Sequence, residues 1–148
     1  MKSSINFLHL QATDWLRQLD FYKQDLTFLR KRLDEVASKN TGSEIGVSIE
    51  HFENKFRILS DNLDQSKHDI NERKANVDKM GMEMPTHISE KFVVENDKTE
   101  TDLTSLISDF TATRKEFNEF LAKWMQYLDP DNPEPKHLLR LFCDGNQF

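Results

Sequence analysis

The chain has 148 residues, a net charge of −6, a single cysteine, and 31% charged against 36% hydrophobic residues. That length suits one domain with a real core, and 11 Phe argue against disorder. Lys and Arg are too evenly spread to give a nucleic acid a basic face. One cysteine forms no intrachain disulfide, no apolar run approaches the roughly 20 residues needed to cross a bilayer, and residues 5–10 are too short and interrupted for a secretory signal. The sequence therefore implies a soluble protein with no membrane or nucleic-acid partner, in a reducing, cytoplasmic setting.

The first element is read from apolar residues at alternating steps of four and three: Leu8, Ala12, Trp15, Leu19, Tyr22, Leu26, Leu29, Leu33 and Val36. An average step of 3.5 keeps one seam of a helix against its partners. It predicts a helix over 4–40, followed by a break at Thr41-Gly42. Arg30, Lys31 and Arg32 are read as a solvated last turn near its C-terminus. Thr41 and Glu44 have capping-box spacing, each able to take a free backbone N–H at the start of a second helix.

The second helix, 44–80, carries the seam Ile45, Ile49, Phe52, Phe56, Leu59, Leu63, Ser66, Ile70, Arg73, Val77 and Met80. Gly81 is the expected C′ residue, because glycine takes positive φ without a Cβ clash. Pro85 ends the segment and Thr86 caps the next.

The third helix, 87–128, repeats the pattern from Phe92 through Asn96, Thr99, Leu103, Leu106, Phe110, Thr113, Phe117 and Phe120 to Trp124 and Tyr127. Val93, Ile107, Leu121 and Leu128 widen its stripe toward that of a globular bundle. The polar run 95–102 predicts a kink or frayed turn, and Asp129-Pro130 stops the helix. Asn132-Pro133 then starts a short fourth helix, 135–142, which ends before Asp144-Gly145. Short connections between long helices force antiparallel neighbours. The expected fold is all-α: one domain over 1–148, an antiparallel up-down-up bundle of three long helices with a short C-terminal fourth. The three-helix order and the pair Trp15-Leu16 resemble the spectrin-repeat architecture, but the helices are longer and no tandem repeat is present, so no family is assigned.

Folding the second helix onto the third about Gly81–Pro85 brings Arg73 toward Asn96 and Ser66 toward Thr99, with His9 at the same end. One reading is a polar layer that fixes register. The other is a small-ligand or metal-binding site at His9, Arg73 and Asn96, with Arg73 as the fork donor to an anion. Metal spacing is poor: one Glu-x-x-His, Glu134 to His137, and a face of Asp64, His68 and Glu72 better read as helix-surface pairing. No phosphate-cradling loop, HExxH or nucleophile elbow occurs, so neither catalytic residues nor a cofactor is implied.

Phe7, Phe21 and Phe28 share one heptad position on the outward side of the first helix, with Asp14 interrupting. Such a stripe needs a cover, either Leu138, Leu139, Leu141 and Phe142 of the C-terminal segment or another subunit. The expected function is that of a non-catalytic helical bundle acting through protein–protein contacts, with a protein partner or self-association.

Overall fold

The computed structural model describes residues 2–39, 43–83 and 90–127, with side chains over 5–39, 45–80 and 90–124. All are helical: α1 (Lys2–Lys39), α2 (Ser43–Glu83) and α3 (Glu90–Tyr127). The short fourth helix, Leu128, the Asp129-Pro130 stop, Cys143 and the caps at Thr41 and Thr86 lie outside the described residues.

The pairing follows from side chains that meet across the helices. Lys23 Nζ lies 2.7 Å from Asp64 Oδ1 and His9 Nδ1 lies 3.1 Å from Asp78 Oδ1, so residue numbers rise on α1 as they fall on α2. Lys55 on α2 lies 2.7 Å from Glu116 on α3 in the same antiparallel sense. Gln11 bonds Asn96 and Asp25 bonds Arg114, so α1 and α3 run parallel. The topology is the expected up-down-up bundle. Its helices, of 38, 41 and 38 residues, are about 57–62 Å long at ~1.5 Å per residue.

The seams read from the sequence form the core. Leu19, Leu26, Leu33, Phe56, Leu63, Ile70, Phe110 and Phe117 are buried, each removing apolar area from water. One end is aromatic. Phe117 of α3 meets both Phe52 and Phe56 of α2 edge-on, with ring centroids 5.2 Å apart, and Phe120 lies 5.1 Å from Phe52. Edge-to-face geometry sets the positive rim of one ring against the negative face of the next. Tyr22 of α1 meets Phe110 in the same way at 5.0 Å. At the opposite end Val77 and Phe92 are buried, yet they stand outside the continuous core, beyond the polar layer described below.

Four expectations change. Gly81 is helical, not C′: α2 continues to Glu83, and no described glycine has positive φ. A glycine takes αL only where the chain turns, and here the chain has not yet turned. The run 95–102 is continuous α-helix without a break. Its threonines return their hydroxyls to the carbonyl one turn back, Thr99 to Glu95 at 3.0 Å and Thr101 to Asp97 at 3.0 Å, so their polar groups need no competing turn. Val93 is exposed instead of widening the stripe, whereas Leu121 is buried and Ile107 packs on the core. Arg30 to Arg32 sit about two turns before the end of α1, where Arg32 bonds Glu35 at 3.0 Å.

Candidate functional site

The polar layer is built where seam positions carry Arg73, Asn96 and Thr99. Arg73 projects from α2 between Glu95 and Thr99 of α3. Its Nε donates to Thr99 Oγ1 at 3.3 Å, and Nη1 donates to the Glu95 carboxylate. Thr99 thus accepts from Arg73 while donating to the Glu95 carbonyl. Asn96, buried, donates from its amide nitrogen to Gln11 Oε1 at 3.1 Å, which ties α3 to α1. His9 sits further out, half-exposed, against Asp78.

The three speculative ligand residues therefore share one end of the bundle but do not converge. Each has a different protein partner: Asp78 for His9, Glu95 and Thr99 for Arg73, Gln11 for Asn96. Two donors of the Arg73 guanidinium that an anion would use are taken, Nη1 by Glu95 and Nε by Thr99. Among the described residues no group of three His, Cys, Asp or Glu is placed to hold a metal. Asp64 is taken by Lys23, and His68 pairs with Glu72 alone at 3.8 Å.

Ser66 does not meet Thr99. It lines a groove of about 230 Å³ between α2 and α3 with Asp69, Asp102, Ser105 and Asp109. The cause is the helical Gly81. The Lys55–Glu116 pair is symmetric about residues 85 and 86, whereas a turn over Gly81–Pro85 is symmetric about residue 83. Moving the centre by two or three residues moves the pairing by about five, more than one turn.

Two polar ties were not read from the sequence because they lie on helix flanks, outside the seams. Arg114 of α3 bonds Asp25 of α1 and spreads its guanidinium 5.1 Å over the Phe110 ring. Burial lowers the Arg114 pKa, opposed by the charge of Tyr22. Glu116 accepts from Lys55 at 2.7 Å and lies 2.7 Å from His51 Nε2. The Lys55 bond, then the His51 bond, holds the Glu116 carboxyl below its ordinary range. A charge at every third or fourth position is ordinary on a solvated helix, so only the pairing geometry singles these out.

Among the described residues the aromatic stripe of α1 faces water. Phe7, Phe21 and Phe28 are 62%, 61% and 48% exposed, and Leu10 on the same side is 66% exposed. Phe21 leans edge-on against Tyr22 at 5.6 Å, and Arg32 sits 4.6 Å over Phe28. The rings are therefore held in place on their inner side and bare on their outer side. Because Gln11 bonds Asn96, the first turns of α1 and α3 are level, so exposed Val93 and Val94 lie at the same height along the bundle as Phe7 and Leu10.

No described helix is long and apolar enough to cross a membrane. Comparison with protein families, curated proteins and solved structures finds no match.

Proposed function

We propose that the protein is a non-catalytic helical bundle that works through protein–protein contacts made by the outer face of α1. The observation that carries this reading is the stripe Phe7, Phe21 and Phe28, bare on a helix whose opposite face is fully packed. Large exposed apolar patches mark contact surfaces, and aromatic anchors carry most of the energy in such contacts. The net charge of −6 favours a protein over a nucleic acid as partner.

The alternative, a small-ligand or metal-binding bundle at His9, Arg73 and Asn96, has weaker support. A ligand there would have to displace Glu95 from Arg73, or Gln11 from Asn96.

Affinity capture from the native host tests the proposal, using the wild type and a Phe21→Ser/Phe28→Ser variant of unchanged helical circular dichroism. The wild type should retain a protein in near-stoichiometric amount, this chain itself included, and the variant should release it. Equal capture by both would remove α1 as the contact face.

A further inference from the structure

The partner of this stripe can be narrowed, given the reading above that α1 is a contact face. We propose that the partner is a second copy of this chain, with α1 lying parallel and in register on α1 of its mate about a twofold axis running along the helices.

The first argument is charge complementarity along the stripe itself. In chain order its outward residues are Phe7, Leu10, Asp14, Arg17, Phe21, Gln24, Phe28, Lys31, Glu35 and Ser38. In a parallel, in-register pair each apolar residue meets its own copy: Phe7, Leu10, Phe21 and Phe28 are all covered. Asp14 comes within one turn of Arg17 of the second copy, and Glu35 within one turn of its Lys31. By the same symmetry Asp14, Arg17, Lys31 and Glu35 each meet their own copies across the axis, and at each meeting an opposite charge from either copy stands about one turn away. Salt bridges of this kind contribute little affinity but set orientation and register.

An antiparallel pair serves the stripe less well. Stacking Phe21 on Phe28 of the mate sets Asp14 level with Glu35, a like-charge meeting no better than those of the parallel pair, and leaves the difference to the apolar residues. It also sets Phe7 and Leu10 opposite residues 42 and 39, where the partner's α1 has ended or is ending. Phe7 then has no α1 of the mate opposite it, and Leu10 meets only its last residue. The parallel arrangement instead gathers Phe7, Leu10, Val93 and Val94 from both copies at one end of the assembly.

The second argument is area. At roughly 200 Å² for a whole Phe, the exposed portions of Phe7, Leu10, Phe21 and Phe28 offer about 450 Å² per copy, and about 900 Å² from two. A standard interface buries about 1,600 Å² in total, of which roughly 900–1,000 Å² is apolar. Fully covered, one stripe on each copy reaches about the apolar share of such an interface, and the charged and polar flanks of α1 supply the rest. A twofold contact is also the commonest way for one patch to be its own complement.

Sedimentation equilibrium of the purified full chain, over a concentration series, reads the outcome. The wild type should dimerise, and Phe21→Ser/Phe28→Ser should be a monomer of unchanged helicity. Arg17→Glu should raise the dimer dissociation constant about tenfold, because symmetry counts one change twice, and Asp14→Arg/Arg17→Asp should restore it. Cysteines introduced in a Cys143→Ser background report orientation. Ser38→Cys and Gln24→Cys should both cross-link with their own copies under mild oxidation. Cross-linking at Gln24→Cys alone would overturn the parallel arrangement, and cross-linking at neither would overturn this face as the dimer contact. A wild type that stays monomeric at 100 µM would overturn self-association. If such a monomer still captured a host protein through the stripe, the contact-face reading would stand and only the identity of the partner would fall.

Discussion

Two phenylalanines on the same protein should respond very unequally to the same substitution. Phe56 is fully buried, with Phe52 and Phe117 at ring-centroid distances of 6.0 and 5.2 Å. Phe56→Ala removes about 120 Å² of buried apolar side chain, or about 3 kcal/mol at ~25 cal/mol per Å². Loss of two ring contacts and an incompletely collapsed cavity add about 1 kcal/mol. The total, about 4 kcal/mol, should lower Tm by roughly 8–16 °C for a chain of this size. Phe21 is 61% exposed, so Phe21→Ala should change monomer stability by no more than about 0.5 kcal/mol. Thermal unfolding followed at 222 nm, at a dilution where only monomer is present, compares the two. A Phe56→Ala protein that melts within two degrees of wild type would refute the burial argument, as would equal losses for the two variants.

Trp15→Ala and Trp124→Ala should each cost about 3–5 kcal/mol in chemical denaturation, since both side chains are buried. Arg73→Leu should destabilise by about 1 kcal/mol: Glu95 loses its partner but is exposed enough to turn to water. Adding Glu95→Gln should recover most of that loss in a double-mutant cycle, and independent, additive effects would show that the pair contributes nothing. Glu116 has a pKa held low chiefly by Lys55, so its contribution is present above the ordinary carboxylate range and disappears as pH falls through its folded value. The stability gap between wild type and Glu116→Gln should therefore close as pH falls below the ordinary carboxylate range; because the side chain is more than a third exposed, the gap should stay below about 0.5 kcal/mol. A gap unchanged at acid pH would remove this ion pair from the account.

The seams were legible because burial repeats with the helix itself: Leu19, Leu26 and Leu33, or Phe110 and Phe117, are selected by spacing alone. The outward placement of Phe21 and Phe28 follows from the same spacing. Contacts between helices were less accessible, because they depend on where the chain reverses. Reading Gly81 as a terminus shifted the α2–α3 pairing by more than a turn and set Ser66 against Thr99 instead of Ser105 and Leu106. Arg73 tolerated that error better. Its long side chain reaches Glu95 and Thr99, neighbours of the expected Asn96. Gln11 and Arg114 were missed because flank positions carry no periodic signal that separates a bundle tie from a solvated side chain.

The layer of Arg73, Glu95, Thr99, Asn96 and Gln11 also divides the rod lengthwise. On one side lies a continuous core that holds four interlocked rings and runs on to Val36, Ile49 and Trp124. On the other, Val77 and Phe92 are buried apart from that core. Polar links bind their two helices across the layer but pass on little of the packing energy that makes a core melt as one. The bundle should thus have a gradient of protection along its axis. Amide exchange should be slowest around Phe56 and Phe117, where opening requires global unfolding, and faster around Val77 and Phe92, where the last turns can open by themselves. The same end carries Phe7 and Leu10, so a partner seated on the proposed α1 face should slow exchange most in the turns around Val77 and Phe92.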